Sequence, residues 1–174
     1  TLNGIASHDG ELELSEYRPR SMDSFEEFDA TIESCYIDKK NIKKLIPSTL
    51  EGCVMRISDI IAYLGKDRQD ADRAKIIRNS DFKDSTIGIY NAQIINNMIV
   101  NIVENSYGKD YIKMDEEHFE ALKKAKADNY ALIYKQESVG EAYNTVQPMM
   151  TELYEKLLED LINENKASPI FTHH

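Results

Sequence analysis

Between Arg56 and Ala71 the chain reads RISDIIAYLGKDRQDA, carrying acidic and aromatic groups through a stretch otherwise apolar enough to be buried. At about 100° per residue, Arg56, Asp59, Tyr63, Asp67 and Asp70 fall within one sector of roughly 100°. Val54, Ile57, Ile61 and Leu64 take the opposite, core-seeking side. Carboxylates accept hydrogen bonds and a phenol both donates and accepts, so one face would pack while the other could line a site for a polar ligand. A solvated helix surface has the same appearance, and spacing alone leaves both readings open.

The element that must position this stripe has a marked start. Pro47 precedes Ser48, a candidate N-cap, and Glu51 follows three residues later, where the two side chains can satisfy each other's backbone donors. The site helix is therefore expected over 49–71. Around it the chain reads as helix almost throughout, with Pro at 4 positions, Gly at 7 and no sustained alternation of the kind that builds a sheet. An opening helical turn ends near Gly10, and 11–20 is expected to be a loop interrupted by Pro19. Tyr17, Arg18 and Pro19 are weighed there as a substrate-facing tripeptide against plain surface. A helix over 23–37 places Phe25, Phe28, Ile32 and Tyr36 on an apolar face. A long helix over 86–107, closed by Gly108, is expected at the centre of the core, where Asn91, Asn96, Asn97 and Asn101 would need partners. Asp115 caps a helix over 116–126 whose Lys123, Lys124 and Lys126 match the dipole at its end, with His118 read as a surface residue. Over 139–165 helical spacing resumes, with Pro148 as a kink or break and Leu153, Leu157, Leu158, Leu161 and Ile162 as an apolar stripe.

Asp59, Tyr63 and Asp67 form an Asp-x-x-x-Tyr-x-x-x-Asp pattern that resembles the late signature of the HD-domain deoxynucleoside triphosphate triphosphohydrolases, which include bacterial dGTPases. Three further stretches are similar to one bacterial branch of that family: TLNGIASHDGE at 1–11, PSTLEGCVMRISDIIAY at 47–63 and NIVENSYG at 101–108. The resemblance implies an all-α, HD-domain-like helical bundle. It also implies metal-dependent hydrolysis of a deoxynucleoside triphosphate, dGTP or another, to deoxynucleoside and intact triphosphate. In that family a first His, an adjacent His-Asp pair and a final Asp hold a divalent ion such as Mn, Mg or Fe. Asp59 matches the final ligand, and Tyr63 and Asp67 match the residues that hold the deoxyribose 3′-hydroxyl.

No upstream His and no apolar-flanked His-Asp pair precede Asp59. His8-Asp9, followed at once by Gly10, is not read as that pair. The chain lacks an initiator Met and is expected to be part of one helical HD-type phosphohydrolase domain over 1–174, truncated at both ends and inactive alone, with the catalytic acid and base in the missing part. His173 and His174, at a terminus, are poor ligand candidates. Two alternatives stay open: an HD-type enzyme for another nucleotide, an alarmone or nucleoside monophosphate, and a non-catalytic nucleotide-sensing or oligomer-building module.

Composition sets the outer bounds. The chain has 174 residues, 41% of them hydrophobic, and a formal charge of −10, enough for a core and unfavourable for a broad nucleic-acid surface. Cys35 and Cys53 lack any Cys-x-x-Cys or neighbouring His and read as reduced thiols in or near the core. No run is long and apolar enough to span a membrane. The expected setting is cytoplasmic, with a deoxynucleotide substrate and a homo-oligomer implied by the resemblance.

Overall fold

The computed structural model describes residues 2–8 and 13–172; the Asp9, Gly10, His173 and His174 readings lie outside them. The described residues are largely helical: α1 (Leu2–Ser7), α2 (Phe25–Ile37), α3 (Leu50–Arg73), α4 (Asn91–Ser106), α5 (Glu116–Asn129), α6 (Glu137–Ile162) and α7 (Pro169–Thr172). The all-α class holds, consistent with the expected helical bundle, apart from one antiparallel ribbon of β1 (Glu16–Tyr17) and β2 (Ile112–Lys113), with Glu16 opposite Lys113 and Tyr17 opposite Ile112.

The chain divides into two compact units, Thr1–Ile133 and Tyr134–His174. In the first, α3 is the hub, packing against α1, α4, α5 and β2. Its core face is built by Cys53, Ile57, Ile61 and Leu64, joined by Ile87, Ile94, Met98, Met114, Leu122 and Tyr17. Each fully buried aliphatic side chain there contributes about 1.5–3 kcal/mol. A smaller cluster of Ala71, Phe82 and Ile133 closes the far end of α3.

Local rules explain most boundaries, and several differ from expectation. The cap of α3 is Thr49, whose hydroxyl accepts from the Gly52 amide at 3.1 Å, and not Ser48. The Ser48 N–H is committed to Asn3 Oδ1 at 2.6 Å, so Ser48 serves the α1 junction instead. The 11–20 segment is not simply a loop: Tyr17 is paired in β1 and 2% exposed, its hydroxyl accepting from the Leu14 amide, so it faces the core and neither solvent nor a ligand. α4 begins at Asn91, later than the expected 86, because Gln93 Oε1 accepts from both the Ile89 and Tyr90 amides after a turn in which Gly88 takes φ +87°. Gly108, at φ +71°, lies two residues past its end.

Burial also departs from the simple wheel. Val54 on α3 and Ile99 and Val103 on α4 are about half exposed, so α4 meets the core through Ile94, Met98 and Asn101 and leaves an apolar side outward. No residue of α2 is fully buried; Phe25 and Tyr36 are exposed while Phe28 and Ile32 are half-buried. Of the four asparagines, Asn96 is exposed and only Asn101 is buried. Cys53 is buried and Cys35 half-buried, both free thiols.

In the second unit α6 continues through Pro148 without a break. The apolar stripe Leu153, Leu158, Leu161 and Ile162 is exposed along it. Asp160 is buried where α6 meets α7, accepting from Asn165 Nδ2 at 3.0 Å. Among the described residues no helix is long and apolar enough to cross a membrane.

Candidate functional site

The expected site residues lie along one side of α3, opposite the core face. At about 1.5 Å per residue, Tyr63 stands about 6 Å along the axis from Asp59 and Asp67 about 12 Å. Asp59 and Asp67 are half-buried and Tyr63 is 60% exposed. Among the described residues no hydrogen bond or ion pair engages the Asp59 carboxylate or the Tyr63 hydroxyl.

The other two members of the stripe do something else. Arg56 was expected on the outward face but is 1% exposed. Its Nη1 donates to the Leu45 carbonyl at 2.6 Å and its guanidinium lies 5.8 Å from the Tyr17 ring centroid. Desolvating a guanidinium is tolerated only where hydrogen bonds replace water, and here the bond pins the segment that leads into α3. Asp70 is taken up by Lys66 at 2.8 Å and Arg73 at 3.7 Å on the surface. The stripe therefore narrows to Asp59, Tyr63 and Asp67.

What keeps α3 in place is a second set of polar contacts on its inner side. Arg68, 2% exposed, donates Nε to Asn129 Oδ1 at 2.8 Å and stacks 4.2 Å from the Phe82 ring centroid, while Asn129 Nδ2 donates to the Leu64 carbonyl at 2.8 Å. Burial pulls the Arg68 pKa below its ordinary value, with Asp128 opposing. At Gly65 the start of α4 comes so close that a Cβ would stand 2.6 Å from Asn91 Cα.

Beside the N-terminal end of α3, between it and α1, is a cavity of about 570 Å³ walled by Gly4, Ile5, His8, Thr49, Gly52 and Met55 among others. Gly4 faces Gly52 across the two helices: a Cβ on Gly4 would stand 4.0 Å from the Gly52 Cα. His8 Nδ1 is 2.6 Å from the Ile5 carbonyl; a carbonyl only accepts, so Nδ1 carries the proton and Nε2 is left for another partner.

Two proteins are similar to this chain over part of its length. Over 91 residues, 51% of this chain and 27% of the other, the chain is 35% identical to a deoxyguanosinetriphosphate triphosphohydrolase-like protein of Caldanaerobacter subterraneus subsp. tengcongensis. Over 129 residues, 71% of this chain and 37% of the other, it is 25% identical to a protein of the same description from Desulfatibacillum aliphaticivorans. The chain is a relative of the deoxyguanosinetriphosphate triphosphohydrolase-like proteins. It spans about a third of the length of these relatives. No family model and no solved structure matches it.

A triphosphohydrolase of the HD type implies a metal, and the donors present can be tested against that. Asp59 offers an unengaged, half-buried carboxylate, a suitable oxygen donor for a hard or borderline cation. Among the described residues, however, no group of three or more His, Cys, Asp or Glu comes together to hold an ion. Asp59 fits as one member of a ligand set, and the described residues do not make that set by themselves.

His118, read as a surface residue, is partly buried, with a side-chain exposure of 16% and Nδ1 2.8 Å from Asp115 Oδ1. Asp115 in turn caps α5 by accepting from the His118 amide and receives Asn101 Nδ2 at 2.5 Å. An Asp at a helix start with His three residues on is the sequence signal for that contact; Asn101, from α4, has no local signal.

Proposed function

We propose that the chain belongs to a metal-dependent deoxynucleoside triphosphate triphosphohydrolase, with dGTP or another dNTP as substrate, and that α3 contributes one metal ligand and the sugar-binding pair. The observation that supports this most directly is the outward alignment of Asp59, Tyr63 and Asp67 at four-residue spacing in a chain related to proteins described as deoxyguanosinetriphosphate triphosphohydrolase-like. A buried helix that leaves a carboxylate and a phenol unengaged on its accessible side has donors and acceptors to offer a ligand.

In this reading Tyr63 and Asp67 bind the deoxyribose 3′-hydroxyl, the carboxylate accepting and the phenol donating or accepting. That fixes the sugar about 6–12 Å along the helix from Asp59, so the α-phosphorus lies over Asp59. Holding the reacting centre in place lowers the barrier by removing translational and rotational freedom before the chemistry starts. A divalent ion, held in part by Asp59, would supply charge neutralisation at the phosphate and activate a water. Cytoplasmic location belongs to the same proposal, which names no base preference.

The test incubates the full-length protein with Mn²⁺ or Mg²⁺ and each dNTP, separating deoxynucleoside, monophosphate and triphosphate. Deoxynucleoside plus triphosphate is expected, with turnover abolished in Asp59→Ala. Monophosphate products, or full activity in Asp59→Ala, would remove the reading.

A further inference from the structure

The cavity at the start of α3 has no part in that reading, yet it lies on the same side of the helix. Met55, in its wall, is four residues before Asp59 and so one turn along the same face, about 6 Å away; Gly52 is about 10 Å away. Sugar at Tyr63 and Asp67, α-phosphorus at Asp59: continued in a line, the remaining phosphates of a triphosphate run toward Met55 and Gly52 and enter the cavity.

We propose that this cavity receives the β- and γ-phosphates of the nucleotide and that His8 is a positioning residue that binds them through Nε2. The proposal rests on the assignment of Tyr63 and Asp67 to the sugar. Three features of the cavity suit the role. The Ile5 carbonyl fixes the His8 ring by accepting from Nδ1 at 2.6 Å, so Nε2 is the nitrogen available, and as the imidazolium it donates a charge-assisted hydrogen bond to a phosphate oxygen. Gly4 carries no side chain where α1 faces α3, a Cβ there standing 4.0 Å from the Gly52 Cα. The volume, about 570 Å³, is within the usual range for a small-molecule cleft.

Among the described residues one group in the wall opposes an anion. Glu51 is on the rim, but its carboxylate is drawn back to its own amide and to Thr49, contacts that hold its pKa below the ordinary carboxylate value. Neutralising it should therefore tighten phosphate binding without removing any ligand.

The experiment titrates inorganic triphosphate into the imidazole-¹⁵N-labelled chain at mildly acidic pH. A saturable shift of His8 Nε2, with little change at His118, is expected. Affinity should fall about tenfold in His8→Gln and His8→Ala, which is one factor of ten in Kd, and rise in Glu51→Gln. Circular dichroism of both His8 variants separates lost binding from lost folding, and the wild-type shift needs no variant at all. Unchanged affinity in the His8 variants overturns the proposal. So does a His8 response to deoxyguanosine but not to triphosphate, since the cavity would then take the nucleoside. Deoxyguanosine binding by Tyr63→Ala tests the sugar assignment separately, because that ligand has no phosphate.

Discussion

Tyr63 has no structural task among the described residues: its ring is 60% exposed and its hydroxyl is unengaged. Tyr63→Ala should therefore leave stability within about 0.5 kcal/mol, the usual effect of a surface substitution. In the proposed dNTP hydrolysis it should raise KM for dNTP and weaken discrimination against NTP; unchanged discrimination would separate Tyr63 from the sugar. Asp115 is the opposite case, a residue whose charge is built into the fold. The His118 amide bond, first among several contacts, lowers its pKa from the ordinary carboxylate value. A carboxylate with a lowered folded pKa stabilises above its unfolded value, about 3.9, and the contribution is lost as pH falls through the lower folded value. Asp115→Ala should thus be less stable than wild type at pH 7, with the gap closing below about pH 4. Urea unfolding across pH 3–7 measures it, and a gap independent of pH would mean that lost packing, not charge, causes the difference. The cap at Asp115 was legible because an N-cap acts within three residues. The burial of Tyr17 and Arg56 was not, since each depends on a partner far along the chain: β2 for Tyr17 and Leu45, at the approach to α3, for Arg56.

At the scale of elements, α3 is held by polar ties on one side and by contact on the other. Asn129→Ala would leave Arg68 Nε without its acceptor, the Leu64 carbonyl keeping its bond within α3, and a buried polar group left unpaired costs about 1–3 kcal/mol. A loss of about 1–3 kcal/mol is expected in chemical denaturation; a loss below about 1 kcal/mol would show that water reaches Arg68 Nε. Gly65→Ala should cost about 1–3 kcal/mol through overpacking against Asn91, measured in the same way, with a neutral result indicating that α4 can back away. Helix existence was readable from periodicity and caps, and the site helix was expected within two residues of its observed ends. What could not be read was how far each apolar face is covered. Phe25 and Tyr36 share a face with Phe28 and Ile32 by spacing, but α2 is only partly covered along its length.

For the molecule as a whole, the charge of −10 sets a background of self-repulsion on which local ion pairs such as Lys66–Asp70 and Lys123–Glu120 are superimposed. Exposed pairs contribute about 0–1 kcal/mol each, and salt screens both effects beyond about 8 Å at physiological ionic strength. With net charge this far from zero, repulsion should dominate, so the melting temperature should rise between low and moderate NaCl. A fall would mean the pairs outweigh it. The same background bears on ligands: a triphosphate approaching α3 meets a negative molecule, so its binding depends on directed contacts more than on long-range attraction.

The contact between Gly65 and Asn91 falls between Tyr63 and Asp67 in the sequence of α3. Two backbones in touch there cannot slip past one another by a turn without lifting apart. It acts as a fulcrum. Any rearrangement that carries Asp59 toward or away from a bound nucleotide must be a tilt of α3 about that point, and a tilt moves the N-terminal end, with Met55, Gly52 and the His8 cavity, in the same direction and further than Asp59. The two ends of a nucleotide laid along this helix would then be gripped unequally, the sugar near the pivot and the phosphate tail on the long arm of the lever.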